Sequence, residues 1–219
     1  MDIHLETRQP TAGYPWHSYF ASRWAWRDPN ARTNKSVHWT KMPSLQTRPE
    51  TQGFMELEMA QGRATIFSQG LPFWQRYGSR MLDSVLIVEG ETCRDFSYAI
   101  SLDDDLPYIT EQDWLTPAVA VPCENGPPSA GASSWLFHLD APSVMLIDMQ
   151  QTVASITLRV VETYGYATDA LLQCPRQPTV ASVVNSLGEV QRTLTVSEEG
   201  VTLHLGCYEF QQVRLDYQS

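Results

Sequence analysis

Gly78-Ser79-Arg80-Met81-Leu82-Asp83-Ser84-Val85-Leu86-Ile87-Val88-Glu89-Gly90-Glu91 is the stretch on which the reading of this chain turns. Leu86, Ile87 and Val88 are apolar in succession, which suits a strand covered on both faces, and glycines close the run at each end. It therefore reads as a central strand. Two charges, Arg80 and Asp83, stand at its mouth. A charge beside a buried strand needs a partner, so these two either pair with each other or meet something outside the chain. A structural ion pair is the plain reading and a ligand contact the sharper one.

Outward from this strand, the composition narrows the field. At 219 residues the chain is long enough for one large β domain or two smaller ones. A net charge of −10, with Arg and Lys scattered, excludes a phosphate-binding stripe, so neither nucleic acid nor an anionic membrane is an expected partner. No apolar run has the length of a signal peptide or a membrane span, which points to a soluble, cytoplasmic chain. Cys93, Cys123, Cys174 and Cys207 are far apart and form no Cys-x-x-Cys, so they read as reduced, buried small residues.

Before the central strand, aromatic residues crowd together at Tyr14, Trp16, Tyr19, Phe20, Trp24 and Trp26. Trp24 and Trp26 alternate around Ala25, so their rings share one strand face. Short strands are expected at Ser36–Thr40, Phe54–Met59 and Ala64–Phe67, with Glu56 and Glu58 facing solvent together. Arg94 to Leu102 alternates as a half-buried strand, Asp103-Asp104-Asp105 ends it in a solvated turn, and Glu111–Leu115 is the one plausible helical turn. A further strand is expected at Thr116–Val121, followed by a Pro/Gly/Ser-rich connection to Gly131. Gln150-Gln151-Thr152-Val153-Ala154 marks a boundary, because short strands with turns every ten residues or so begin there. The expectation is an all-β chain: a larger antiparallel sandwich over residues 1–150 and a small terminal sandwich over 151–219.

Chemistry-bearing patterns are sparse. There is no Gly-x-Gly-x-x-Gly or Walker loop, no Gly-x-Ser-x-Gly elbow and no His-Glu-x-x-His, and His4, His17, His38, His138 and His204 stand apart from one another. His38 and His138 alternate with apolar neighbours and read as half-exposed strand residues. No metal ligand set and no catalytic constellation can be drawn from these spacings.

One family resemblance crosses most of the chain. Ser79-Arg80-Met81-Leu82-Asp83-Ser84 resembles the Arg-rich, Asp-ended segment in the all-β carboxy-terminal region of glycoside hydrolase family 38, the α-mannosidases. Tyr19-Phe20-Ala21-Ser22-Arg23-Trp24-Ala25-Trp26, Ser134-Trp135-Leu136-Phe137-His138 and Val161-Glu162-Thr163-Tyr164-Gly165 resemble stretches that fall in the same order in that family. The resemblance implies a supersandwich followed by a small sandwich. It also implies a zinc-assisted retaining mechanism housed on an upstream α/β barrel, whose aspartate nucleophile and His/Asp zinc ligands have no counterpart here. The chain alone is thus expected to be non-catalytic and to hold no cofactor, the zinc belonging to the missing catalytic domain, which is its expected partner.

In those enzymes the similar segment lies near the catalytic face and helps to shape the sugar pocket, although their doubled Arg and doubled Asp are reduced here to Arg80 and Asp83. Trp16, Trp24, Trp39, Trp74, Arg80 and Asp83 are accordingly the candidates for carbohydrate or interdomain contact. The four tryptophans would instead be stacking platforms if the chain were a stand-alone carbohydrate-binding module. A complete small hydrolase would need two close carboxyl groups in a pocket. If the chain docks on a larger protein, Tyr14, Trp16, Phe20 and Trp74 are expected to border the exposed apolar face.

Overall fold

The computed structural model describes residues 1–6, 12–51, 53–116, 119 and 135–217. Its contacts divide the chain into two compact units, Met1–Pro117 and Ala118–Ser219.

The first unit contains β1 (Asp2–His4), β2 (Phe20–Ala25), β3 (Arg32–Val37), β4 (Thr40–Pro43), β5 (Phe54–Met59), β6 (Gly62–Ser68), β7 (Trp74–Tyr77), β8 (Met81–Ile87), β9 (Asp95–Leu102) and α1 (Pro107–Leu115). A six-stranded antiparallel sheet runs in the order β1-β9-β6-β5-β3-β4, and a three-stranded sheet in the order β2-β8-β7. Strand alternation explains how the two meet. On β5, Met55 and Leu57 point inward with Ile66, Phe96 and Tyr98, and join Trp26, Trp74, Leu82, Leu86 and Ile87 from the facing side in one cluster. Full burial of an aliphatic side chain such as Leu82 stabilises by about 2 kcal/mol. The Tyr98 hydroxyl donates to Ser84 Oγ at 2.7 Å inside this core, and burial pushes its phenol up to about 12.

β8 is the central strand expected from the sequence, and Leu82 through Ile87 are all buried. Other expectations shift. Ser36–Thr40 is not one strand: His38 and Trp39 have φ of 46° and 68° and form the two-residue turn between β3 and β4, a backbone state that sequence alternation does not reveal. His38 is thus a turn residue. Glu56 does share a face with Glu58, but it is fully buried, held by Asn34 Nδ2 at 2.8 Å and Lys41 Nζ at 3.2 Å.

Further along that face Phe54 lies opposite Phe67, and α1 covers the pair through Tyr108, 5.0 Å from Phe54, and Trp114, 6.5 Å from Phe67. The helix is longer than the single turn expected, because Pro107 opens it and Tyr108 and Glu111 form its buried side. The acidic run serves its neighbours: Asp103 Oδ1 accepts from the Arg63 amide at 2.8 Å, Asp104 Oδ1 from the Leu106 amide at 2.9 Å, and Asp105 pairs with the Arg63 side chain. Gly53 lets the Glu111 carboxyl lie flat on the backbone, since a Cβ there would stand 2.3 Å from its Oε1.

The second unit contains β10 (His138–Leu139), β11 (Val144–Gln151), β12 (Ser155–Glu162), β13 (Thr168–Gln173), β14 (Val180–Val184), β15 (Val190–Thr193), β16 (Val201–Leu205) and β17 (Phe210–Asp216). Sheets ordered β10-β13-β16 and β11-β12-β17-β14-β15 enclose a core of Leu158, Val160, Ala170, Leu172, Ala181, Leu203, Val213 and Leu215. All the strand pairings are antiparallel, and the all-β sandwich class read from the sequence holds in both units. β11 falls inside the 1–150 range expected for the larger sandwich and pairs along its length with β12, and the contacts divide the chain at Pro117/Ala118.

Cys93 and Cys207 are exposed free thiols and Cys174 is half-buried, against the expectation of burial, because the first two sit outside strands, in a loop and a turn. Cys123, most of the strand expected at Thr116–Val121 and the connection that follows it lie outside the described residues. No helix among the described residues is long and apolar enough to cross a membrane.

Candidate functional site

The antiparallel register of β2 and β8 sets Arg23 directly opposite Asp83, and the register of β7 and β8 sets Gln75 opposite Asp83 from the other side. Strand parity then decides which residues share the face: Ala21 and Arg23 on β2, Asp83 on β8, Gln75 and Tyr77 on β7. On the opposite face Trp24 lies across from Leu82, and Trp74 across from Ser84.

Asp83 is only 1% exposed, and a buried carboxylate requires partners. Arg23 supplies a bidentate pair, Nε to Oδ1 at 2.6 Å and an Nη to Oδ2 at 2.8 Å, and the Tyr19 hydroxyl donates to Oδ2 at 3.1 Å. The Arg23 guanidinium also lies over the Tyr77 ring, 4.8 Å from its centroid. Burial first, and then the hydrogen bond to Asp83, hold the Tyr19 phenol far above its ordinary range, so it stays a donor. The Asp83 hydrogen bond likewise strengthens the Arg23 cation. His17, Tyr19, Ala21, Arg23, Tyr77 and Asp83 line an open concavity of about 390 Å³. Its rim offers a guanidinium, two phenols and an imidazole to a polar ligand. Among the described residues that line it Asp83 is the one carboxylate, and it is already engaged, whereas hydrolysis of a glycoside needs two.

The six candidates from the sequence fall in different places. Asp83 is at the centre of this concavity. Arg80 is exposed in the turn that joins β7 to β8, its carbonyl accepting from the Trp26 amide at 3.2 Å, and Asp83 is paired with Arg23 instead. Trp74 is fully buried and Trp24 packs against the same core, 5.3 Å edge-on to Tyr98. Trp16 is half-buried, T-shaped to Phe73 at 5.8 Å with the Arg48 guanidinium 4.9 Å over its ring. Trp39 sits at the β3–β4 turn, 6.3 Å from Tyr108. Of the expected exposed face, Tyr14 and Phe20 are exposed and Trp74 is not.

Arg23, Tyr19, Tyr77 and His17 are not among the six contact candidates that the sequence offers, although Tyr19 and Arg23 lie in one of the stretches that carry the family resemblance. A signal for Arg23 was present, because the alternation that turns Trp24 and Trp26 inward turns Arg23 outward, on the face where a buried acid needs a base. Among the described residues no three His, Cys, Asp or Glu side chains gather as a metal site.

No family model matches this chain and no curated protein matches it. Solved structures do. An α-mannosidase from Enterococcus faecalis V583 superposes with a TM-score of 0.62 at 15% identity over 84% of this chain. A protein in glycosyl hydrolase family 38 from Enterococcus faecalis superposes with a TM-score of 0.64, again at 15% identity over 84% of this chain. The fold is that of one quarter of a family 38 protein. This chain covers 24% of the first structure and 25% of the second, so it spans far less than their length. The resemblance read in the sequence to family 38 is thereby repeated in three dimensions, and two of the stretches that carried it are the paired strands β2 and β8.

Proposed function

We propose that this chain is the non-catalytic carboxy-terminal β region of a family 38 α-mannosidase-like glycoside hydrolase. It supports an upstream catalytic barrel and lends the Arg23–Asp83–Tyr19 face to the rim of the sugar pocket. The observation that carries this reading is the bidentate Arg23–Asp83 pair at the junction of the two resembling segments, facing a polar concavity. The zinc belongs to the barrel, where it acts as the Lewis acid. The part of this chain is to hold Arg23 and the Tyr19 hydroxyl in fixed positions, because a guanidinium locked on a buried carboxylate keeps its remaining donors aimed outward.

A stand-alone carbohydrate-binding module would use exposed tryptophans, and two of the four that it would need, Trp24 and Trp74, are packed against the core. The test is an assay of nitrophenyl α-mannoside with zinc. The purified chain is expected to release no nitrophenol alone and to be required for full activity when joined to its barrel, with Arg23→Ala lowering kcat/KM of the joined protein. Zinc-dependent turnover by the chain alone, lost on mutation of one of its own acids, would overturn the reading.

A further inference from the structure

A second cluster stands in the other unit, around a carboxylate that the proposal above does not use. Glu162 ends β12 and is fully buried, and its two oxygens accept three backbone amides: Tyr164 at 2.8 Å, Gly165 at 2.7 Å and Tyr208 at 3.0 Å. One acid thus pins two separate turns, 163–167 and 206–209, to each other. The pinned turns display aromatic rings. Tyr164 and Tyr166 lie 5.3 Å apart with a 40° tilt, Tyr166 is 64% exposed, and the Tyr208 ring lies across Gly165, where a Cβ would stand 2.7 Å from its atoms. Phe210, half exposed, occupies the register position opposite Val161, next to Glu162.

The backbone is arranged around this display. Tyr208 adopts φ of +53°, a state that costs a residue with a Cβ, and Gly165 adopts φ of +87°, so the Tyr208 ring is held over the turn at the expense of local strain. Burial raises the Tyr208 phenol, and the nearby Glu162, Tyr166 and Cys207 raise it further, so the hydroxyl stays a donor. The chemistry of the surface narrows its ligand. Neither turn contains a Lys or Arg, and Glu209 adds a second carboxylate, so an anionic partner is disfavoured. Flat rings edged with phenolic hydroxyls meet the C–H faces and hydroxyls of a neutral sugar.

We infer that Tyr164, Tyr166 and Tyr208, clamped by Glu162, form a binding platform for a neutral hexose oligosaccharide, separate from the Asp83 concavity. It does not require an upstream barrel. The test titrates the 219-residue chain with mannobiose, mannotetraose and maltotetraose and follows the tyrosine ring resonances by NMR. Saturable shifts of Tyr164, Tyr166 and Tyr208 are expected. Tyr166→Ala should weaken the affinity by about tenfold while Tyr166→Phe stays within about threefold. Tyr208→Gly removes the ring and suits the positive φ, so it should keep the fold and lose binding. Absence of saturable shifts with every oligosaccharide, or unchanged affinity in both Tyr166→Ala and Tyr208→Gly, overturns the inference. So does concentration-dependent association in sedimentation that Tyr166→Ala abolishes, which would make this face a protein interface. None of these outcomes touches the mannosidase assay, which reads the other unit.

Discussion

Arg23 and Asp83, 60 residues apart in sequence, face each other across two hydrogen-bonded strands, and the aspartate is sealed from solvent while half of the arginine side chain is exposed. The pair is therefore asymmetric. Removing Arg23 leaves a buried carboxylate that keeps the Tyr19 hydroxyl but has lost its bidentate cation, whereas removing Arg80 changes only the surface. Arg23→Ala should lower the urea midpoint of unfolding clearly, and Arg80→Ala should leave it where it is. Equal effects of the two substitutions would show that Asp83 draws its stabilisation from elsewhere.

Glu111 makes the stability of the first unit depend on pH in an unusual direction. Its carboxyl is buried between α1 and Gly53, beside Ser36, whose hydroxyl is taken by Thr51 and by the Phe54 amide. Burial raises it from 4.5 to about 7. Between these values the folded chain holds a proton that the unfolded chain has released, so stability falls as pH rises from about 4.5 to about 7 and levels off above. Glu111→Gln should flatten that slope. Thermal melts across this range, followed by tryptophan fluorescence, would check it, since six of the seven tryptophans lie in the first unit.

Trp74 is the largest fully buried side chain of the first core. Trp74→Ala should cost about 3–5 kcal/mol in chemical denaturation. Acrylamide should reach Trp16 and Trp39 in the folded chain and spare Trp26 and Trp74, a pattern that time-resolved quenching of single-tryptophan variants can read.

Glu162 tests whether the two turns of the second unit are one structure. Glu162→Ala leaves three half-buried amides without their acceptor and should cost about 1–3 kcal/mol, whereas Glu162→Gln keeps an acceptor and should cost less. Hydrogen exchange at Tyr164, Gly165 and Tyr208 should accelerate together in the alanine variant. Acceleration at one turn alone would mean that the turns are held independently.

What the sequence determined by itself is the part that depends on local period. The apolar succession Val85-Leu86-Ile87 in β8, the alternation of β9 and the rhythm of short strands after residue 155 follow from which side chains a strand must bury, and those faces were legible from residues 85–87, 95–102 and 155–216 without coordinates. So was the sharing of one face by Trp24 and Trp26, although only the folded chain shows that this face is the core one. Tertiary structure alone decided the pairings. Which strand lies beside β8 is a matter of register between segments 60 residues apart, and it made Arg23, not the nearby Arg80, the partner of Asp83. Burial of Glu56 and Glu111 was likewise set by what came to lie over them, Lys41 from a hairpin and the sheet backbone at Gly53, neither of which their own neighbours in sequence could announce. Periodicity reports the face on which a side chain stands; only the folded chain supplies what stands opposite.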